Sequence, residues 1–203
     1  GIPMCAGILV GGRSSRMGRD KSCLPLPEGR TLLERTVAVI EEAGLTPVLV
    51  GRLDRPASLG HVEHIDDAAV ARFERSEKDG PAPVSGVGPI AGLLALLRHA
   101  APDPYVVALS CDLPHLTPAL LEQLAGAPDA DIAMPRAPHP EPLCARYRTS
   151  LEAACRRYVE EGGRSLRGLL EPLQAVTIEA APRTFRDWDT PDDVEADLGA
   201  LPW

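Results

Sequence analysis

The chain has 203 residues, 44% hydrophobic and 25% charged, with 21 Lys plus Arg against 29 Asp plus Glu and a formal net charge of −8. That length suits one domain with a real core, and the composition excludes a largely disordered chain. The acidic balance and 3% aromatics argue against a nucleic-acid binder, but a few placed cations and backbone N–H groups can still hold a small anionic ligand.

The longest apolar stretch, Ile90 to Leu97, is far shorter than the ~20 residues that span a bilayer, so no transmembrane helix and no membrane partner are expected. No basic segment leads into an apolar core near the start, which gives no sign of export. Five cysteines, Cys5, Cys23, Cys111, Cys144 and Cys155, are odd in number and lack CxxC spacing. They fit neither a disulfide framework nor a zinc knot and are expected as reduced thiols in the cytoplasm.

In chain order, Ile8-Leu9-Val10 reads as a short buried strand followed by the glycine-rich segment Gly11 to Lys21. Thr31 to Ala43 places Leu32, Leu33, Thr36, Val39 and Ile40 along one helical face, stopped by Gly44. Pro47 to Val50 reads as a further strand, and the stretch from Asp66 to Gly88 is long and rich in charge, Gly and Pro. Pro89 opens an almost wholly apolar, hence buried, helix over Ile90 to His99, and the strand Tyr105 to Leu109 leads into the loop Cys111 to His115. Thr117-Pro118 and Thr190-Pro191 each read as an N-cap with a first-turn proline, the second with Asp193 in capping-box spacing. Such alternation predicts an α/β fold, a Rossmann-like three-layer sandwich with a mainly parallel central sheet, whose ligands bind in loops after the strands.

The segment Leu9-Val-Gly-Gly-Arg-Ser-Ser-Arg-Met-Gly-Arg-Asp-Lys21 follows the first strand directly. Gly11 and Gly12 let the backbone approach a ligand closely and form an anion-binding nest, while Arg13, Arg16 and Lys21 add charge-assisted donors. It has neither GxGxxG spacing nor a GK[ST] ending, which disfavours a dinucleotide dehydrogenase and a P-loop kinase. The histidines show no HxH or HExxH spacing, so no zinc site is expected.

This segment resembles the LAGG-x-S-x-RMG-x-DK signature of the nucleotidyltransferases typified by molybdenum cofactor guanylyltransferase. Gly88-Pro-Ile-Ala-Gly92 resembles that family's GPLAG element and Ser110-Cys-Asp-Leu-Pro114 its C-D-x-P element. Gly163-Arg-Ser-Leu-Arg167 and Trp188-Asp-Thr-Pro-Asp192 resemble its C-terminal features, so the likeness covers nearly the whole chain in order. The leading signature alone would also admit cytidylyl- and sugar-nucleotide transferases.

The resemblance implies a nucleotide-binding part over about 1–115 and an acceptor-binding part over about 116–203 of a single domain. Arg16, Lys21 and Asp112 would be catalytic. Leu9, Val10, Gly11, Gly12, Arg13, Gly88 and, after the third strand that the resemblance implies at Val62 to Ile65, Asp66 or Asp67 would join Lys21 and Asp112 around the nucleotide. Magnesium would be held by Asp112, which otherwise reads as a turn residue before a proline. Where the family carries an asparagine-rich N-x-N-T-P element, this chain has Asp187-Trp188-Asp189-Thr190-Pro191, and Asp189 would be a second metal ligand or merely precede a helix cap. The stretch Ala68 to Val87 is a further departure, absent from shorter family members. His139, in His139-Pro140-Glu141-Pro142-Leu143, and Arg164 and Arg167 would meet the acceptor, although basic residues at a helix start are often only solvated.

The expected activity is transfer of GMP from GTP to molybdopterin or Mo-molybdopterin, with release of pyrophosphate. Other molybdenum cofactor biosynthesis proteins are implied as further partners. Cytidylyl transfer to the same or another phosphorylated acceptor, and a non-catalytic nucleotide-binding regulator, are the alternatives.

Overall fold

The computed structural model describes residues 4–10, 31–51, 56–66, 89–113, 116–136 and 141–179. Along it run β1 (Cys5–Leu9), α1 (Leu32–Glu42), β2 (Thr46–Val50), β3 (Glu63–Ile65), α2 (Pro89–Ala100), β4 (Tyr105–Ser110) and α3 (Pro118–Ala125). They are followed by β5 (Ile132–Pro135), β6 (Cys144–Arg148), α4 (Glu152–Glu160), α5 (Leu166–Leu170) and β7 (Ala175–Ile178).

The described strands form one sheet in the order β3-β2-β1-β4-β6-β5-β7. β6 is antiparallel to both β4 and β5, while the other neighbouring pairs are parallel, so β6 alone of these strands runs in reverse. Side-chain alternation divides the core into two layers. Val48, Val50, Val106 and Ala108 pack on one face with α2, Cys155 and Val159 of α4, and Leu169 of α5. Leu49, Val107 and Leu109 face the other way, against Leu33, Val37 and Ile40 of α1 and Leu120, Leu121 and Leu124 of α3. This is the expected three-layer sandwich with a mainly parallel sheet.

Local chemistry explains the helix limits. Thr31 caps α1 in a closed capping box: its hydroxyl accepts from Glu34 N (3.2 Å), and Glu34 Oε1 accepts from Thr31 N (3.0 Å). Ala43 is the C-cap, one position before the Gly44 at which the sequence placed it, and Gly44, with φ of 80°, turns the chain just beyond. Thr117 caps α3 by accepting from Leu120 N (3.2 Å), with Pro118 in the first turn. The Thr190-Pro191 start lies outside the described residues.

α2 is apolar because it lies between the sheet and α4. Two glycines let it approach β1: a Cβ on Gly7 would meet Leu96 Cδ2 at 2.5 Å, and one on Gly92 would meet Leu9 Cδ2 at 3.0 Å. The second glycine of the Gly88 to Gly92 element therefore has a packing reason within this chain.

Elements β5, β6, β7, α4 and α5 had no counterpart in the sequence reading. β6 hides a buried cation, Arg146, which is 1% exposed. Its Nη1 donates to the Ala127 carbonyl (2.7 Å), its Nη2 donates to the Pro128 carbonyl (2.6 Å), and its guanidinium lies 3.9 Å from the centre of the Tyr105 ring. Burial lowers the pKa of this guanidinium, while the carbonyls closing α3 supply the acceptors that water would otherwise provide. Among the described residues, no helix is long and apolar enough to cross a membrane.

Candidate nucleotide site at the carboxyl end of the sheet

Because every described strand but β6 points the same way, Val10, Gly51, Asp66, Cys111 and Arg136 all emerge at one end of the sheet, where β6 begins. Connections run outward from β1 through β2 to β3 on one side, and β4 lies on the other. The order therefore reverses between β1 and β4, the place where a parallel α/β sheet opens a ligand crevice. Leu9 and Ser110, the last residues of these strands, are register partners. Val10 and the Cys111-Asp112 turn thus leave the sheet side by side.

Asp112 is half-buried and held by its own chain. The Ser110 hydroxyl donates to Asp112 Oδ1, and Asp112 N lies 3.4 Å from the same Ser110 oxygen. Leu113, 1% exposed, anchors the turn in the core, and Leu116 N closes it on the Leu113 carbonyl (3.1 Å). The carboxylate therefore stands on a strand end fixed from below, as a cation-holding group requires.

The acceptor-like segment enters the same place. Ser110 N donates to the Leu143 carbonyl at 2.8 Å, and the buried Tyr147 hydroxyl donates to the Pro142 carbonyl at 2.6 Å. The Leu143 carbonyl is thereby pinned to the end of β4, two residues from Asp112, and the Pro142 carbonyl to β6. Cys144, at the start of β6, is buried, and that burial raises its thiol pKa, so it remains protonated and unsuited to act as a nucleophile.

Val10 N donates to the Val50 carbonyl (2.9 Å), extending the β1–β2 pairing by one residue. Gly51 adopts φ of 116°, and a Cβ there would lie 2.3 Å from the Val10 carbonyl oxygen. Only glycine allows β2 to end so close to the strand that carries the candidate base contacts. Sequence reasoning missed this residue, although a glycine directly after the run Pro47 to Val50 was its signal.

The other candidates divide by position. Asp66 follows β3, two strands from β1 and so about 10 Å across the sheet. α4 starts near the opposite end, where Thr149 N donates to Pro104 O (3.0 Å) and Arg98 Nε donates to Glu152 Oε1 (2.8 Å). Its nine residues rise about 14 Å, and Arg164 follows its last turn. Arg164 there is exposed, and its Nη1 donates to the Val159 (3.1 Å) and Gly163 (2.9 Å) carbonyls, so part of its guanidinium caps α4. Arg167 is exposed on the short α5. The glycines of Gly163 to Gly168 make room for Tyr158: a Cβ on Gly163 would meet its ring at 2.4 Å, and one on Gly168 would meet its hydroxyl at 2.3 Å. Gly11, Gly12, Arg13, Arg16, Lys21, Asp67, Gly88, His139 and Asp189 lie outside the described residues.

Residues 6–177 match the family model of the MobA-like NTP transferase domain. A molybdenum cofactor guanylyltransferase from Xanthomonas euvesicatoria is 32% identical, across 94% of this chain and 92% of its own. A probable molybdenum cofactor guanylyltransferase from Opitutus terrae is 31% identical over the same shares. Among solved structures, molybdopterin-guanine dinucleotide biosynthesis protein A from Archaeoglobus fulgidus superposes with a TM-score of 0.72 at 28% identity, covering 97% of this chain and 98% of its own. With the reversed strand order, the Asp112 turn and the length of these matches, the chain belongs to the MobA-like NTP transferase family and is a nucleotidyltransferase.

Proposed function

We propose that the chain transfers GMP from GTP to the terminal phosphate of molybdopterin or Mo-molybdopterin, releasing pyrophosphate, with magnesium as the metal. The observation that carries this reading is the braced Asp112 carboxylate at the end of β4, beside the end of β1. The names of the relatives support the choice of base and acceptor.

The donor set suits a hard cation. Magnesium takes one or two carboxylates and completes its shell with phosphate oxygens and water, which Asp112, joined by Asp189, would allow. When bound, it would neutralise charge on the reacting phosphates.

Attack of one phosphate on the α-phosphorus needs positioning and charge stabilisation more than an acid or base. The main chain at Leu9, Val10, Gly11 and Gly12 would present groups to GTP, with Asp66 or Asp67 on its guanine side. Arg13, Arg16 and Lys21 would stabilise the charge that builds on the departing pyrophosphate. The start of α2 after Gly88 lies at the same end of the sheet and would add its N-terminal dipole. His139, Arg164 and Arg167 would meet the acceptor. The enzyme would work in the cytoplasm beside other proteins of molybdenum cofactor biosynthesis.

The test supplies molybdopterin and magnesium with GTP, CTP, ATP or UTP, reading product by mass spectrometry and pyrophosphate by a coupled assay. GTP is expected to give molybdopterin guanine dinucleotide in the largest yield. Preference for CTP would make the protein a cytidylyltransferase, and nucleotide binding without pyrophosphate release would make it a regulator.

A further inference from the structure

We propose that Ser110 is a positioning residue, whose side chain sets the Asp112 carboxylate in the orientation that receives a divalent cation. The inference rests on the nucleotidyl-transfer reading and adds to it a residue that does not itself touch metal or substrate.

The first observation is where the Ser110 proton goes. Its hydroxyl donates to Asp112 Oδ1, while the same oxygen lies 3.4 Å from Asp112 N. An aspartate two residues past a strand end has two rotatable side-chain bonds and a turn backbone. A donor on the carboxylate, with an acceptor for its own amide, restricts both. An ordinary capping serine would satisfy main-chain groups alone; here the hydroxyl hydrogen goes to the charged oxygen.

The second observation is that Ser110 is itself held on both sides. It pairs with Leu9 at the end of β1, and its N donates to the Leu143 carbonyl at 2.8 Å, just ahead of β6. The hydroxyl therefore projects from a strand end braced by both neighbours. A metal-holding carboxylate must keep its geometry to within about 0.5 Å, which a side chain on a rigid strand supplies better than one braced by a loop. The placement also gives the GTP-side strand, the carboxylate and the acceptor-side segment one shared frame.

The experiment compares wild type, Ser110→Ala and Ser110→Thr for Mn2+ binding in the presence of a GTP analogue with a methylene between the α and β phosphorus atoms. Free Mn2+ is read by electron paramagnetic resonance, and GMP binding without metal is titrated in parallel. Loss of a group that orients a metal ligand weakens metal affinity by about 10- to 100-fold. Ser110→Ala is expected to raise the Mn2+ dissociation constant within that range, with metal-free GMP binding within twofold of wild type. Ser110→Thr, which keeps the hydroxyl, is expected to restore most of the affinity. Mn2+ binding by the alanine variant within twofold of wild type would overturn the assignment. So would an equal loss of metal-free GMP binding, which would mark a generally loosened site. If wild type itself binds no Mn2+ with the analogue, the functional reading falls, and the role of Ser110 with it.

Discussion

At the scale of single residues, the site depends on groups whose contacts separate function from stability. Asp112→Ala removes a carboxylate braced by Ser110, while the buried Leu113 still anchors the turn. Nucleotidyl transfer is expected to fall by at least 10- to 100-fold with an unchanged thermal midpoint, as measured by parallel turnover and unfolding curves. Tyr147→Phe takes the donor from the Pro142 carbonyl without changing shape. The acceptor KM should rise while the GTP dissociation constant stays put, and urea unfolding should show a loss of about 1–3 kcal/mol. Arg146→Ala should cost at least as much, because the carbonyls closing α3 would lose their donor. Asp112 was legible in the sequence, since a carboxylate straight after an apolar run stands at a strand's carboxyl end. Arg146 was not: an arginine in a short segment reads as surface, and its carbonyl partners lie 18 and 19 residues earlier in the chain.

At the scale of elements, β1, β2 and β4 were readable because each is a short apolar run, whereas β3, Glu63-His64-Ile65, is mostly polar and was placed only through the family resemblance; α1 was readable from its apolar face, and α2 and α3 from their first-turn prolines. The C-terminal elements were not. β7 is an edge strand whose residues alternate between exposed and half-buried, and β6 runs in reverse because it pairs antiparallel with both β4 and β5, the strand just before it. Arg164 looked like an anion contact by its place in the Gly163 to Arg167 element, yet its Nη1 satisfies two carbonyls at the end of α4. The acceptor contact proposed for it would fall to its remaining donors. Gly51→Ala should shift the junction between β1 and β2, because a methyl group cannot sit 2.3 Å from the Val10 carbonyl. A strained backbone of this kind costs about 1–3 kcal/mol. GTP affinity should fall along with the unfolding midpoint, whereas Gly44→Ala, where a Cβ meets nothing within 4 Å, should affect stability alone. Titration calorimetry and urea unfolding on the two variants check this difference.

At the scale of the whole molecule, two packed layers bury thiols and a phenol that must stay protonated. Burial, with Glu152 nearby, pushes the Cys155 thiol from 9.0 up to about 12, and burial likewise raises Cys144 and Tyr147. The folded state thus holds these protons more tightly than the unfolded chain. Their contribution to stability is complete below pH ~9 and is lost as pH rises toward the folded values. The thermal midpoint should therefore fall steadily between about pH 9 and 11. Cys155→Ala should flatten that slope, even if it lowers the midpoint at pH 7.

The proposed reaction requires GTP and a divalent cation to meet where β1 and β4 end, on the Asp112 carboxylate. The most direct measurement is a crystal structure with the methylene analogue of GTP and Mn2+, the ion located by its anomalous signal. An anomalous peak is expected at bonding distance from an Asp112 oxygen, about 2–2.2 Å for a small hard cation, with the triphosphate over the glycine-rich segment after Val10. A nucleotide bound at the opposite end of the sheet, or an ion peak away from Asp112, would contradict it.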